Sequence, residues 1–315
     1  MSSAAPFYSD LAQARETGTA YWIHADDGVR LRVAHWTNDT AKGTVLLFPG
    51  RTEYIEKYGK DADELLSRGL ATLVIDWRGQ GLADRLIDNT DLGHVGQFTD
   101  YQRDVAAMVG HARAIGLPEP FYLLAHSMGG CIGLRALHNG LPVAAASFSA
   151  PMWGIKMSPV LRGVAWGVST IGAHAGFGTS VSPGQSSKSL MTTTAFADNP
   201  LTNDPDMYAY MVGQVRARSE LGLGGPTIRW LNEALREMRF LAHQKSPHVP
   251  CVTWLGTEES IVDPAAIRQR MAKWPNGRLE ILDRCKHEVL MERPDVRQQI
   301  FDDLGQFFST SPIAA

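Results

Sequence analysis

The stretch Phe121-Tyr122-Leu123-Leu124-Ala125-His126-Ser127-Met128-Gly129-Gly130 decides the fold prediction for this chain. It predicts a short buried strand, a sharp turn at Ser127 and a helix that begins at Met128. A serine on such a turn presents its hydroxyl to a cleft, and the first amides of the following helix have no internal acceptor. The turn brings helix and strand together, so small residues are needed two positions before and after the serine, where Ala125 and Gly129 stand. The pattern indicates a serine nucleophile with an oxyanion-binding amide, that of Met128, beside it.

A second match to the same pattern, Ser180-Val181-Ser182-Pro183-Gly184, is rejected on mechanism. No strand precedes it, and Pro183 has no N–H that could bind an oxyanion. For Ser127 one alternative stays open, because a serine between a strand and a helix can simply cap the helix. The residues that could act with Ser127 therefore have to be sought elsewhere in the chain.

The composition indicates one large α/β domain, or one domain with an insertion. The chain has 315 residues, 44% hydrophobic and 20% charged, with a net charge of −3, a balance that gives no indication of a nucleic-acid partner. Three scattered cysteines and ten histidines show neither disulfide nor metal-binding spacing. The residues from Met1 to Asp10 lack the features of a signal peptide, and no apolar run is long enough to span a membrane. We therefore expect a cytoplasmic protein without a metal site.

Apolar strand-like runs alternate with amphipathic helical segments along most of the chain. Asp26-Asp27-Gly28 predicts a hairpin turn between the first two strands. Strands separated by helices indicate a mostly parallel sheet, and ligand sites on such sheets lie beyond the carboxyl ends of the strands. The predicted strands are 21–24, 29–36, 44–48, 71–76, 121–126, 145–149, 250–256 and 278–282, and the predicted helices between and after them include 58–68, 101–115, 264–273 and 294–308.

A histidine and an acid near the end of the chain are the candidates to act with Ser127. His287 follows the last predicted strand, and imidazole is the side chain best suited to accept a serine proton near neutral pH. A carboxylate after the preceding strand would hold the imidazole in the correct tautomer, and Glu259 and Asp263 both stand in that segment. Glu259 is nearer the strand end, whereas Asp263, just before Pro264, is well placed to cap the next helix. Glu259 is the favoured acid and Asp263 the alternative.

Three motifs together resemble the monoacylglycerol lipase and lysophospholipase L2-like branch of the α/β-hydrolases. They run from Pro49 to Tyr58, from Trp77 to Gly81 and from His126 to Gly130, and the resemblance extends over roughly residues 20–308. It implies an α/β-hydrolase fold, in which a mostly parallel central sheet is flanked by helices and carries a helical cap. It further implies ester hydrolysis through an acyl-enzyme, without a cofactor.

The resemblance also implies site residues, and the chain departs from the family pattern at three positions. The second oxyanion donor of the family, carried over to this sequence, is the amide of Arg51. Pro49 replaces the usual histidine, Ala125 replaces the first glycine of the serine turn, and Glu259 replaces the usual aspartate. The third departure is the reason that Asp263 stays open as the acid.

The segment 151–227 is the predicted cap, inserted into a core formed by residues 1–150 and 228–315. It holds nine charged residues, 11 of the 30 glycines and five of the 11 methionines. This apolar, adaptable composition suits an acyl chain, and its glycines would permit movement. Ordinary packing of a helical subdomain would explain the same residues, so that alternative remains. We also expect transient contact between the cap and a membrane surface.

These inferences together predict a serine hydrolase that cleaves carboxylic esters of the acylglycerol or lysophospholipid type. Ser127 attacks, His287 transfers the proton, Glu259 orients the imidazole, and the amides of Met128 and Arg51 bind the oxyanion. A further hypothesis is that the Arg51 side chain meets a substrate phosphate. The alternatives are a non-catalytic binding protein on the same fold, or a serine peptidase, thioesterase or lactonase.

Overall fold

A nine-stranded sheet organises the fold in the computed structural model, which describes residues 2–16 and 18–311. The strands follow the order β1-β2-β3-β5-β4-β6-β7-β8-β9 across the sheet, and every pair from β5 to β9 is parallel. The predicted mostly parallel sheet is confirmed. The strands are β1 (Ser3–Ala4), β2 (Thr19–His24), β3 (Arg30–Trp36), β4 (Thr44–Phe48), β5 (Ala71–Asp76), β6 (Phe121–His126), β7 (Ala145–Ser149), β8 (Cys251–Gly256) and β9 (Gly277–Leu282).

The order of the strands reverses at β4, and this reversal positions the site. From β4 the chain crosses to β5 on one side and then returns to β6 on the other. The loops that leave the carboxyl ends of β4 and β6 therefore diverge from neighbouring strands and open a crevice between them. Ser127 follows β6 directly, and the loop from Pro49 follows β4 directly.

Helices cover both faces of the sheet, with bounds close to those predicted. The predicted helix 58–68 begins instead at Gly59, because Ile55–Tyr58 form a 3-10 turn, and the predicted hairpin turn at Gly28 is present with a φ of 87°. The helices are α1 (Ser9–Ala12), α2 (Gly59–Leu66), α3 (Tyr101–Ala114), α4 (Met128–His138), α5 (Pro159–His174), α6 (Leu190–Thr193), α7 (Pro205–Ala217), α8 (Ile228–Ala242), α9 (Pro264–Met271) and α10 (Pro294–Thr310).

The core has two apolar layers, one on each face of the sheet. All residues of β4, β6, β7 and β8 are buried, as expected of parallel strands with helices on both sides. Alternate residues of β4 divide between the layers: Leu46 and Phe48 pack with α3, α4 and α8, whereas Val45 and Leu47 pack with α2 and α10. The strands that end at the crevice are thus held rigidly from both sides.

The segment between β7 and α8 carries α5, α6 and α7. Helix α5 packs on α8, where Asn232 Nδ2 donates to Thr170 Oγ1 at 2.9 Å. Helix α7 is tied to the N-terminal region, since Tyr210 Oη donates to the Ala12 carbonyl at 2.9 Å and Gln214 Nε2 to the Leu11 carbonyl at 2.7 Å. Among the described residues, no helix is both long enough and apolar enough to cross a membrane.

Candidate active site

Ser127 lies in the strained turn that the sequence predicts. Its φ of 49° and ψ of −115° are unusual for a residue with a side chain, and its amide donates to the Ser149 carbonyl at 3.0 Å. The turn is tight enough that a Cβ added at Gly129 would collide with the carbonyl oxygen of Phe48. Glycine is therefore required two residues after the serine, because α4 approaches β4 closely at this point.

His287 meets the hydroxyl of Ser127. The histidine lies between β9 and α10, and its Nε2 is 2.9 Å from Ser127 Oγ. Both side chains are almost fully buried, with 9% of Ser127 and 3% of His287 exposed. Because the other ring nitrogen faces a carboxylate, Nδ1 carries the proton and Nε2 is free to accept one from the serine.

The carboxylate that faces His287 belongs to Glu259. Its Oε2 is 2.7 Å from His287 Nδ1, and its Oε1 accepts from the amides of Ile261 at 2.6 Å and Val262 at 3.1 Å. Burial by itself would raise the pKa of Glu259, but the hydrogen bond and charge of His287, with the two amides, lower that pKa below its usual value. Glu259 therefore stays ionised at neutral pH.

Asp263, the alternative acid, lies away from the histidine and serves α9. Its Oδ1 accepts from the Ala265 amide at 3.0 Å at the start of the helix, and its Oδ2 is 3.1 Å from Arg162 Nη2. The structure brings Ser127, Glu259 and His287 into one hydrogen-bonded chain and leaves Asp263 outside it.

The loop after β4 leaves one amide free beside the serine. The Gly50 amide donates to Glu53 Oε2, and the Thr52 amide donates to Gln80 Oε1 at 2.5 Å. Among the described residues, the Arg51 amide between them has no acceptor, and neither has the Met128 amide at the start of α4. Gln80 also joins the two loops, because its Nε2 is 3.6 Å from Met128 Sδ. The two amides are thus available to a developing oxyanion.

A buried cluster of charged residues adjoins the site. Lys57 Nζ contacts the carboxylates of Glu53 and Glu288, the latter at 2.7 Å. His126 Nε2 is 3.3 Å from Glu288 Oε2 and 3.6 Å from Glu53 Oε1. Its Nδ1 is 3.1 Å from the Ser149 carbonyl. Both ring nitrogens of His126 thus face oxygen atoms, and the two carboxylates at Nε2 favour the protonated ring.

The pKa shifts of His126 and Glu288 agree with this arrangement of charges. Burial opposes a charge on His126, but Glu288 and Glu53 outweigh it and raise the pKa of the imidazole. Burial also opposes the charge on Glu288, but His126 and Lys57 outweigh it and lower the pKa of that carboxyl well below its usual value. Glu53, His126 and Glu288 place ligand atoms within 4.8 Å of one another, as a metal site would, yet the ammonium of Lys57 already brings the positive charge there.

Sequence reasoning did not identify this cluster. The sequence motifs assign no role to Glu53, Lys57, His126 or Glu288. The available signal was positional, since His126 and Glu288 each stand next to a predicted triad member. The cluster holds the loop after β4, because Glu53 accepts a hydrogen bond from the Gly50 amide next to Arg51.

Comparisons with known proteins identify the family. The family model described as Serine aminopeptidase, S33 (Hydrolase_4) matches residues 39–294. The chain belongs to this family. It is 29% identical over 314 residues to lysophospholipase L2 of Escherichia coli strain K12, and the match covers 92% of this chain and 89% of that protein. It is 28% identical over 267 residues to the probable lysophospholipase L2 of Haemophilus influenzae, 84% of this chain and 83% of that protein.

A solved structure gives the same result for the fold. A soluble variant of monoglyceride lipase from Saccharomyces cerevisiae, in complex with a substrate analog, superposes with a TM-score of 0.71 at 18% identity. The match covers 93% of this chain and 95% of that one. The predicted α/β-hydrolase fold and the resemblance to the lysophospholipase and monoacylglycerol lipase branch are confirmed, and so is the prediction that the chain is a carboxylic ester hydrolase.

Proposed function

We propose that this chain hydrolyses carboxylic esters of the acylglycerol or lysophospholipid type through an acyl-enzyme on Ser127. The observation that carries the proposal is the hydrogen-bonded chain from Ser127 through His287 to Glu259, beside two free amides. Such an arrangement activates a hydroxyl and stabilises a tetrahedral oxyanion, which are the two requirements of acyl transfer.

The proposed reaction has two halves that use the same groups. Ser127 Oγ bonds to the ester carbonyl carbon while His287 Nε2 takes the hydroxyl proton, and the oxyanion is bound by the amides of Met128 and Arg51. The intermediate then collapses, and the alcohol leaves with the proton from His287. Water attacks the acyl-enzyme in the second half, giving up its proton to His287, and the fatty acid departs as Ser127 regains its hydrogen.

A lipid substrate is supported by the apolar character of the proposed cap, residues 151–227. Relatives that are named lysophospholipases and a structural neighbour named a monoglyceride lipase agree with it. If the cap encloses an acyl chain, kcat/KM rises with chain length by up to about 0.8 kcal/mol for each buried methylene. Equal rates on acetyl and decanoyl esters would contradict an acyl pocket.

We further propose that helix α5 meets the lipid surface from which the substrate is drawn. Val160, Val164, Val168 and Ile171 lie at helical spacing along one side of α5, and they are exposed, by 78% for Val160 and 71% for Ile171. A continuous apolar helix face of this kind marks an interaction surface. The three buried free cysteines agree with a cytoplasmic location, which we propose as well.

Peptide hydrolysis is the second candidate, because the matching family is described as an aminopeptidase family. An aminopeptidase site holds a protonated amine and so requires a free carboxylate near the serine. Glu53 and Glu288 are buried carboxylates near the triad, and both already contact Lys57 and His126. Hydrolysis of aminoacyl anilides at rates matching those of decanoyl esters would favour peptide hydrolysis over the proposed ester hydrolysis.

Covalent labelling tests the proposed nucleophile. A fluorophosphonate probe should modify Ser127 and abolish ester hydrolysis, and Ser127→Ala should lose several orders of magnitude in kcat, because triad members act as a unit. Ser182→Ala is the matched control, since Ser182 is also a buried serine but its hydroxyl has no partner in the described structure. Labelling that persists in Ser127→Ala, or that moves to Ser182, would refute the assignment.

A further inference from the structure

We propose that the guanidinium of Arg51 binds the phosphate of a lysophospholipid head group and makes the site selective for phosphate-bearing esters. The inference rests on the proposed ester hydrolysis and names the substrate class for it. The backbone of Arg51 supplies a proposed oxyanion amide, and its side chain extends from the same point into the seam between the core and residues 151–227. There, Nη1 donates to the Gly224 carbonyl at 2.8 Å.

The partly buried guanidinium of Arg51 has no anionic partner in the described structure, unlike several other arginines of this fold. Its guanidinium has no carboxylate within ion-pair distance among residues 2–16 and 18–311, and the ring of Trp230 lies 5.7 Å away. Three buried arginines pair with acids at 2.7 Å: Arg32 with Glu56 and Asp76, Arg78 with Asp27 and Asp104, and Arg297 with Asp61. Within the described residues, Arg270 and Arg85 resemble Arg51 in binding main-chain oxygens only, but neither is next to the triad serine or the proposed oxyanion amides. Arg51 is thus a cation placed in a largely apolar seam without a fixed partner.

The charge of Arg51 survives its burial. Burial lowers the pKa of the guanidinium to about 10, and Tyr101 acts slightly in the opposite direction, so the group remains protonated at neutral pH. A guanidinium has five N–H donors in a planar fork that matches phosphate oxygens. Within the described part of the chain, Gly224 is the one hydrogen-bond acceptor of the fork, so the remaining donors are available to an anion that enters with the substrate.

The position of Arg51 matches the layout of a lysophospholipid. In such a lipid the phosphate is separated from the scissile ester by the glycerol backbone, a span similar to the length of an arginine side chain. An ester whose carbonyl oxygen meets the Arg51 amide can therefore place its phosphate at the guanidinium of the same residue. A Cβ added at Gly93 would stand 3.7 Å from Arg51 Nη1 and 3.3 Å from Leu223 Cδ2, so a side chain at this position would crowd the guanidinium.

A purely structural role is the rival explanation, because Arg51 joins the oxyanion loop to residues 151–227 through Gly224. Arg85 offers a matched control. Its Nη1 donates to the Gly79 carbonyl at 2.6 Å and its Nη2 to the Glu220 carbonyl at 3.2 Å, so it also joins the core to the insertion through main-chain oxygens alone. A loss of rigidity would affect both variants, whereas phosphate recognition concerns Arg51 only.

The test compares substrates that share one acyl chain. The assay compares four proteins, which are the wild type, Arg51→Gln, Arg51→Lys and Arg85→Gln. Each is given three monomeric substrates, which are 1-decanoylglycerol 3-phosphate, 1-decanoyl lysophosphatidylcholine and 1-decanoylglycerol. The measured quantity is the ratio of kcat/KM for each phosphate-bearing ester to that for the neutral ester. We expect this ratio to fall at least about tenfold in Arg51→Gln, less in Arg51→Lys, and not in Arg85→Gln. The loss should lie mainly in KM, because the phosphate is remote from the reacting bond.

A competition experiment separates head-group binding from general attraction of anions. Glycerol 3-phosphate and inorganic phosphate are added to the wild type during hydrolysis of a neutral chromogenic ester. Stronger competitive inhibition by glycerol 3-phosphate than by inorganic phosphate supports a head-group site, and equal or absent inhibition by both opposes it. This arm uses the wild type and so holds even if an Arg51 variant fails to fold.

The outcomes distinguish phosphate recognition by Arg51 from the proposed ester hydrolysis on which it rests. An unchanged ratio in Arg51→Gln, or an equal fall of the ratio in Arg85→Gln, overturns phosphate recognition while ester hydrolysis stands. An equal loss on phosphate-bearing and neutral esters assigns Arg51 a structural role and also overturns it. A wild type that cleaves none of the esters overturns the proposed function itself.

Discussion

Replacing Glu259 by glutamine should disable the enzyme through the tautomer of His287. The carboxylate accepts from two main-chain amides, those of Ile261 and Val262, through Oε1, and from His287 through Oε2. A glutamine must turn its carbonyl oxygen toward the two amides, because its NH₂ group would otherwise meet two donors. The NH₂ group then faces His287 Nδ1 and makes that nitrogen an acceptor. The ring proton moves to Nε2, which can no longer take the proton of Ser127.

The size of this effect can be set from the corresponding change in serine proteases. A carboxylate-to-amide substitution there lowers kcat by about 10⁴, equivalent to about 5 kcal/mol of transition-state stabilisation. The fold should persist, because the two amides keep their acceptor and the cost is limited to weaker hydrogen bonds, about 1–2 kcal/mol. Asp263→Asn should retain activity, because Asp263 caps α9 and does not contact His287.

The assay measures kcat on a chromogenic ester together with the melting temperature of both variants. The pH dependence gives an independent check. The pKa of Glu259 is lowered in the folded state, so its contribution to stability is present at neutral pH and is lost as the pH falls through that pKa. The stability difference between wild type and Glu259→Gln should accordingly shrink toward acid pH. A Glu259→Gln enzyme within tenfold of wild-type kcat, beside an inactive Asp263→Asn, would refute the reasoning.

Three further variants test the surroundings of the site. Lys57→Met removes the cation between two buried carboxylates and should lower the free energy of unfolding by about 3–5 kcal/mol in urea titrations. Lys57→Arg keeps the positive charge and should lower it less. Equal losses in the two variants would contradict a stabilising role for this charge. Gly129→Val should yield no folded enzyme, because its Cβ collides with main chain, while Gly110→Ala in the open middle of α3 should raise stability by up to about 1 kcal/mol. Val164→Asp should slow hydrolysis of vesicle-borne substrate and spare a soluble short-chain ester; equal rates on vesicles would refute the lipid-facing role of α5.

Strongly patterned elements could be predicted from the sequence almost to the residue. The bounds of β6 match the prediction because an unbroken apolar run ends at a residue that must turn, and α9 begins at Pro264 as proline requires. Strand β1 was missed, since its two exposed residues carry no pattern and pair only through the main chain of β2. The start of α2 was misplaced by one residue because Ile55–Tyr58 form a 3-10 turn of similar composition.

The candidate site could be predicted only where chemistry and position coincide in one motif. Ser127 and His287 were predicted because each follows a strand and suits a defined chemical task, and their side chains lie 2.9 Å apart. The choice between Glu259 and Asp263 stayed open because spacing gives the loop but not the direction of its side chains, which the amides of Ile261 and Val262 determine. The pairing of Lys57 with Glu288 spans 231 residues and depends on how the sheet places the segments after β4 and β9, which no local pattern encodes.

The hydrogen bond between Ser127 and His287 joins residues 160 positions apart. The serine, both oxyanion amides and strands β4 to β7 all precede residue 151, whereas the acid and the base follow strands β8 and β9. The strained serine turn therefore needs only the first part of the chain, whereas its contact with His287 needs strands from both parts. With the proposed triad, we expect esterase activity to return only after β8 and β9 have joined the sheet, so its recovery during refolding reports complete assembly rather than collapse of the core.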